Sequence, residues 1–162
     1  MIICGNKRKG FSLIELLIVV TIILIIAAIA IPNLMKSKIQ ANETAAVETL
    51  RTLNGSALLY SNSYGGFPHA LSDLGPAAGG TAPTSASSDL IDSVLASGVK
   101  SGYRFAYVAG TTDPSGNVLN YTITASPVAP GSSGQRSFFT DPSGTIRNTS
   151  SGNADATSPP IS

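Results

Sequence analysis

Apolar and polar positions divide this chain into three parts, and the first is a continuous apolar run. Between Phe11 and Ile31 only Ser12, Glu15 and Thr21 are neither apolar nor small. A helix of this length rises about 30 Å, which is enough to cross the hydrocarbon core of a bilayer. The run therefore predicts a transmembrane helix over residues 11–31.

The second part, residues 32–64, has an amphipathic pattern. Its apolar residues recur at spacings of three and four, which predicts a helix with one buried stripe. The stripe consists of Val47, Leu50, Leu53, Ala57, Tyr60 and Tyr64. The opposite side is predicted to face solvent or another subunit, and it carries Lys36, Lys38, Gln40, Asn42, Glu43, Glu48 and Arg51. Both parts together predict one helix of roughly 50 residues, closed by Gly65-Gly66.

The third part begins with a connecting region, residues 65–100, in which the apolar residues keep no regular spacing over a long stretch. Proline, glycine, serine and threonine dominate from Pro76 to Ser88, which predicts a flexible surface loop. Asp89 is then predicted to cap a short helix that ends at Gly98. The apolar residues of that helix are Leu90, Ile91, Val94 and Leu95.

From residue 101 to 148 the period changes to two, which predicts an antiparallel sheet of about four strands. The predicted strands are 103–108, 118–125, 136–140 and, weakly, 145–147. The sequence Asp-Pro-Ser-Gly occurs at both 113–116 and 141–144, and each copy suits a hairpin turn. A loop at 127–134 would join the two hairpins into a meander with one face on the helix stripe and the other in solvent. The polar residues 149–162 predict a flexible tail. The fold class is therefore α+β.

Two features of the N-terminal segment are unusual for a simple membrane anchor. Lys7-Arg8-Lys9 precede the apolar run and are expected to stay cytoplasmic, so that the chain after Pro32 is delivered outward. Glu15 places a carboxylate inside the apolar run, where an unpaired charge is costly, so it should have a partner. Gly10, between the charged residues and Phe11, has the character of a protease site.

These residues resemble the class III signal sequence and N-terminal helix of type IV pilins and of the pseudopilins of type II secretion. The resemblance covers about the first 35 residues and rests on the stretch from Gly10 to Val20, with Pro32 after the apolar run. It implies the pilin fold, with one long helix on a small antiparallel sheet. It also implies that residues 1–10 are a leader, that a prepilin peptidase cuts after Gly10, and that the new amino terminus of Phe11 is methylated.

The same resemblance implies roles in assembly. Glu15 would neutralise the terminal amine of an adjacent subunit, and the helix would kink or partly melt at Pro32. The chain would be a structural subunit of a type IV pilus, held in the bacterial inner membrane and then polymerised with itself on an assembly platform. The family serves adhesion, twitching motility and DNA uptake. The alternatives are a type II secretion pseudopilin, a minor pilin and, outside the family, a plain single-span protein.

Composition restricts the remaining functions. Without the three basic leader residues, the ten Lys and Arg are reduced to seven against nine carboxylates, so nucleic-acid binding has no electrostatic support. The one cysteine, Cys4, lies in the leader, and the domain is expected to hold together without a disulfide.

Candidate chemical groups are few, and we expect a protein that is not an enzyme and needs no metal or cofactor. His69 is the one histidine and is better explained as a solvent or interface residue than as a general base. Asp113 and Asp141 could ligate a cation, as in some pseudopilins, but their role in turns explains them fully. The aromatic residues of the strands are expected in the core.

Overall fold

The computed structural model describes residues 10–77, 79 and 81–161. The chain divides into two compact units, of which the first ends at Ser37 and the second begins at Lys38. Residues 1–9 of the predicted leader, with Cys4 and the predicted cytoplasmic charges, lie outside the described residues, and so do two residues of the predicted loop at 76–88.

The long helix, α1, runs from Leu13 to Tyr64 and contains 52 residues. It confirms that the two predicted helical segments are one element. Pro32 lies inside it, and α1 continues through this position; the kink or partial melting that the resemblance implies there stays a prediction. Gly65 ends α1 with a positive φ of 83°, and its N–H donates to Ser61 O at 2.9 Å. Glycine adopts this left-handed conformation without steric cost.

The first unit contains the apolar half of α1, and its side chains are unpacked. Every large apolar residue from Phe11 to Met35 is exposed, from 45% at Val20 to 83% at Leu13. An 18-residue window of α1 has a mean hydropathy of 3.2, and none of it is buried. By length and composition this half of α1 is apolar enough to cross a membrane.

The second unit contains a five-stranded antiparallel sheet in the order β1-β2-β3-β4-β5. The strands are β1 (Val99–Lys100), β2 (Tyr103–Ala109), β3 (Tyr121–Pro127), β4 (Ser137–Thr140) and β5 (Arg147–Thr149). The meander is as predicted, but β1 is an additional strand. Two residues are too few to show a period of two, and β1 exists only because it pairs with β2.

Both Asp-Pro-Ser-Gly segments form turns between neighbouring strands, the first between β2 and β3 and the second between β4 and β5. β3 starts three residues later than predicted, at Tyr121. Val118 pairs instead with Phe67, whose N–H donates to Val118 O at 2.9 Å. Val118 therefore pairs with the segment that follows α1 and does not belong to β3.

The core lies between α1 and the inner face of the sheet. α1 contributes Ala46, Leu50, Leu53, Ala57 and Tyr60, at the predicted spacing of three and four. The strands contribute Tyr103, Phe105, Tyr121, Ile123, Ala125 and Phe138. Two members of the predicted stripe are less buried, because Val47 packs at its edge and Tyr64 is 36% exposed.

The connecting region contains a 3₁₀ turn, Leu71–Leu74, and a one-turn helix, α2, Ser93–Ala96. The prediction that Asp89 caps this helix is wrong. Asp92 is the N-cap, since its Oδ1 accepts the Leu95 N–H at 2.8 Å, whereas Asp89 lies in a left-handed conformation with φ of 55°. The helix is shorter than predicted because the N–H groups of Leu90 and Ile91 both donate to Leu74 O.

The tail differs from the expected flexible segment. Residue 149 belongs to β5, the Asn148 N–H donates to Pro159 O, and the Ile161 N–H donates to Ile146 O, both at 2.9 Å. Ala154 is buried. The last strand offers free backbone groups along its edge, and the tail satisfies them despite its polar composition.

The outer face of the sheet is also not simply in solvent. All four residues of β4 are buried, and the outward Ser137 donates a hydrogen bond to Gly152 O of the tail. The prediction of one wholly solvated face is therefore wrong at β4.

Candidate functional site

The predicted processing and assembly residues lie at the start of α1. Gly10, Phe11 and Ser12 precede the helix and are exposed, and among the described residues none beyond its chain neighbours lies within 4 Å of the position that a Cβ on Gly10 would occupy. The bond between Gly10 and Phe11 is therefore in non-helical, open backbone two residues before α1 begins. Such backbone is accessible to a second protein.

Glu15 has a partner within its own chain. The Ser12 N–H donates to Glu15 Oε2 at 2.9 Å, and the Leu16 N–H donates to Ser12 O at 3.3 Å as the first helical bond. The carboxylate thus satisfies one of the free donors at the helix start and lies at the positive end of the helix dipole. In a capping box, a Ser-x-x-Glu sequence lets the glutamate side chain accept the N–H of the serine at the helix start. Ser12 and Glu15 have this spacing, so the hydrogen bond could have been predicted from the sequence.

Thr21 is another polar residue of the apolar run. Its hydroxyl forms a hydrogen bond within the helix, because it donates to Leu17 O at 2.8 Å. Glu15 is therefore the one ionisable side chain between Phe11 and Ile31. Pro32 lies 17 positions further along α1. The structure places Glu15, Thr21 and Pro32 on one helix, and it brings the Glu15 carboxylate to the Ser12 N–H.

Glu43 is a buried carboxylate, and its predicted place on the solvated side of α1 is wrong. It is 6% exposed. Its Oε1 accepts the N–H groups of Gln135 at 2.9 Å and Arg136 at 3.1 Å, and its Oε2 accepts Arg136 Nε at 2.7 Å. The spacing along α1 could have predicted this burial, since positions 43, 46, 50, 53, 57 and 60 form one continuous stripe.

The environment of Glu43 favours its charged form. Burial by itself raises the pKa of Glu43, but the hydrogen bonds from Gln135 and Arg136 outweigh that effect and hold the pKa below its ordinary value. The neighbouring Asn42 donates from Nδ2 to Ser133 O at 2.8 Å. Two adjacent helix residues therefore hold the chain segment that leads into β4.

A polar network crosses the core further along α1. Asn54 Nδ2 donates to Thr140 Oγ1 at 2.8 Å, and the Tyr121 hydroxyl donates to Asn54 Oδ1 at 3.0 Å. Burial raises the pKa of Tyr121 to about 12. These groups satisfy one another, and the arrangement positions the helix against β3 and β4 rather than supporting a reaction.

The candidate chemical residues lie apart from one another. Asp113 Oδ1 accepts the N–H groups of Ser115 and Asn117, and Asp141 Oδ1 accepts that of Ser143, as expected for turns. His69 is exposed at a cleft beside Asp73. Among the described residues, no three His, Cys, Asp or Glu side chains are placed to hold a metal ion.

Comparison with known proteins bears on the N-terminal segment. A family model described as the prokaryotic N-terminal methylation motif matches residues 5–31. That range contains Gly10, Phe11, Glu15 and the apolar run. The chain therefore carries this N-terminal methylation motif.

The curated relatives that this chain matches are of two kinds. The type IV wide pilus major component PilA4 of Thermus thermophilus is 42% identical over 73 residues, which is 43% of this chain and 56% of that protein. The type IV major pilin protein PilA of Myxococcus xanthus is 49% identical over 47 residues, 29% of this chain and 21% of that protein. The type II secretion system core protein G of Escherichia coli is 34% identical over 55 residues, 34% of this chain and 38% of that protein.

The matched stretches span 56% or less of the length of these relatives. The predicted resemblance of the N-terminal segment to pilins and pseudopilins is thus confirmed. The predicted α+β arrangement, one long helix and an antiparallel sheet, is confirmed as well. The similarity is to pili and to secretion systems alike, and it does not separate the two.

Proposed function

We propose that this chain is a structural subunit, not an enzyme, of a type IV pilus. A prepilin peptidase cuts after Gly10, the amino terminus of Phe11 is methylated, and the exposed half of α1 holds the chain in the inner membrane with its N-terminus cytoplasmic. The subunits then polymerise into a filament through that half of α1 on an inner-membrane assembly platform. Adhesion, twitching motility and DNA uptake are roles that such a filament serves.

The observation that carries this proposal is the unpacked apolar half of α1 within the matched motif. Its large apolar side chains make no core in the described chain, and each buried CH₂ is worth roughly 0.8 kcal/mol. Outside a lipid bilayer these side chains require an apolar cover, and identical helices packed side by side supply one. Ala27, Ala28 and Ala30 allow such helices to approach closely.

Glu15 has a specific role in this assembly. Its carboxylate accepts a hydrogen bond from the Ser12 N–H, and no basic side chain pairs with it within the part of the chain that the structure describes. A methylated amine on Phe11 of a neighbouring subunit would neutralise that charge in a dry helix bundle, where an unpaired ion is costly. Pro32 removes one helical N–H, and we propose that it lets α1 bend or extend locally in the filament.

Mass spectrometry of fibres sheared from cells tests the proposal. We expect this chain as the main component, beginning at Phe11 with one added methyl group. Glu15→Ala should lower the fibre yield at least about tenfold while the leader is still removed, and Glu48→Ala serves as the exposed control. A main component that still carries residues 1–10, or a normal fibre yield from Glu15→Ala, would contradict this mechanism.

A second candidate is a pseudopilin of type II secretion, or else a minor pilin. It is favoured by the match to core protein G, which covers 34% of this chain. The abundance of this chain in sheared fibres separates the candidates, because a pilus subunit would be the main component. A deletion that blocks protein secretion but leaves surface fibres unchanged would favour the pseudopilin.

A further inference from the structure

The end of α1 borders an open cleft of about 450 Å³ that no step of the proposed assembly uses. Three aromatic side chains line it, Tyr60 and Tyr64 from α1 and Phe67 from the segment after it. The rings of Tyr60 and Tyr64 lie with their centroids 4.7 Å apart. Ser85, Ala86, Asn117 and Val118 complete the walls together with Gly66, His69 and Asp73.

The charge of this cleft is negative. Asp73 is the one acid among the lining residues, and none of them is a lysine or an arginine. Asp73 Oδ2 accepts the N–H groups of His69 and Ala70, both at 3.0 Å, but no cation pairs with Asp73 among the described residues. Burial raises the pKa of Tyr60, and the negative charge of Asp73 raises it further, so this charge reaches the aromatic wall.

A carboxylate beside aromatic rings is a site for an organic cation. Aromatic π-faces attract ammonium and guanidinium groups within about 6 Å, and the carboxylate adds a direct ion pair. The absence of basic lining residues opposes phosphate and other anions. The volume of the cleft falls in the range of clefts that bind small ligands, so it has room for the end of one long side chain.

Lys38 is a matching cation on the same helix. It is exposed and forms no ion pair within the described part of the chain, whereas Arg51, Lys100 and Arg136 are each paired with a carboxylate. Of the other basic residues without an ion pair there, Lys36 belongs to the first unit, Arg104 lies on β2 and Arg147 donates to Ser158 O. Lys38 precedes Tyr60 by 22 residues, about 33 Å along an α-helix. It therefore cannot reach the cleft of its own chain. In a parallel bundle of α1 helices, a copy shifted by about that distance brings its Lys38 to the level of the cleft.

We propose that the cleft around Asp73 receives Lys38 of a second copy of this chain. The ammonium group pairs with Asp73 while the aromatic side chains of Tyr64 and Phe67 cover its stem. The proposal rests on the proposed self-assembly for the parallel direction of the two helices. It adds a contact between the second unit of one copy and α1 of another, in addition to the bundle of apolar helices.

Cross-linking between two co-expressed forms of the full chain tests this contact. One form carries Ala41→Cys, one turn from Lys38 on the same face, and the other carries His69→Cys at the cleft, both in a Cys4→Ser background. A short bismaleimide is applied to whole cells, and dimers are counted separately in membranes and in sheared fibres. The matched control is Gln40→Cys, which is exposed at the same level of α1 but on its opposite side.

We expect the Ala41→Cys and His69→Cys pair to yield at least about tenfold more dimer than the control pair. Lys38→Gln or Asp73→Asn should each lower that yield roughly threefold, and together no further, because each removes the same ion pair. The Asp73→Asn variant keeps an acceptor oxygen for the two N–H groups, and Lys38 is exposed, so both variants are expected to fold.

The outcomes separate this inference from the proposed function. Normal fibres without the cross-link, or a cross-link that neither charge change weakens, would overturn the cleft contact and leave the pilus proposal standing. A charge-dependent cross-link in membranes of cells that make no fibres would support the contact and contradict the pilus. A yield that falls with Lys36→Gln and not with Lys38→Gln would overturn the assignment to Lys38.

Discussion

Glu43 and Arg136 lie 93 positions apart in the sequence and meet at 2.7 Å between Oε2 and Nε. The carboxylate side chain is 8% exposed and the guanidinium side chain 42%. The same carboxylate accepts the N–H groups of Gln135 and Arg136. One side chain of α1 therefore accepts three hydrogen bonds from the segment where β4 begins.

Replacing Glu43 with Gln should destabilise the second unit by about 2 kcal/mol. The amide retains one acceptor oxygen but loses the charge that strengthens all three hydrogen bonds, and hydrogen bonds to charged groups are worth about 1.5–3 kcal/mol. Urea unfolding of the detergent-solubilised chain, followed by near-ultraviolet circular dichroism, measures the change. Glu48→Gln is the control, since the exposed pair of Glu48 and Arg51 should contribute less than about 1 kcal/mol. Equal effects of the two variants would contradict the role given to Glu43.

Acid should weaken the second unit partly through Glu43. Its pKa is lower in the folded chain than the ordinary value of 4.5, so the folded state binds this proton less readily than the unfolded state does. The stability that results is present above pH 4.5 and is lost as the pH falls through the folded pKa. Asp92, Asp113 and Asp155 also have lowered pKa values and share in this loss. The unfolding free energy of Glu43→Gln, measured from about pH 6 to about pH 3, should therefore fall less steeply than that of the unchanged chain.

Alkaline conditions should act through the tyrosines of the core. Burial raises the pKa of Tyr103 and of Tyr121 to about 12. The folded chain keeps these protons after the unfolded chain has lost them near pH 10, so stability falls as the pH rises from about 10 to 12. Absorbance in the near ultraviolet should show ionisation of these tyrosines together with unfolding. In Tyr121→Phe this pH dependence should be smaller, at a cost near neutral pH of about 1 kcal/mol for the lost bond to Asn54. An unchanged alkaline transition in that variant would be inconsistent with a buried Tyr121.

Removing residues 155–162 should lower the stability of the sheet by about 2 kcal/mol. The truncation removes the partly buried Ile161 contact with the core and frees the backbone partners of Ile146 and Asn148. Protection of the β5 amides from hydrogen exchange measures the effect. Leu119→Ala, at an exposed loop position, is the control. If β5 exchanges equally slowly without these residues, the tail does not support the sheet.

Local patterns were sufficient for much of this molecule. The apolar run from Phe11 to Ile31, the stripe along α1 and the two Asp-Pro-Ser-Gly turns depend on neighbours in sequence, and each was predicted from its period or its residue types. The N-terminal motif is likewise contiguous. The resemblance that it carries points to Gly10, Phe11 and Glu15, whose roles in processing and assembly remain proposals.

Contacts between distant residues were decided only by the tertiary structure. Glu43 is charged and was assigned to the solvated side, yet the free N–H groups of Gln135 and Arg136 and the Arg136 side chain make its burial favourable. The tail is polar, yet the open edge of β5 orders it. β1 exists only through its pairing with β2, and the cleft at Asp73 is assembled from three separate stretches of chain. In each case the free energy comes from a partner far away in sequence, which a local pattern cannot reveal.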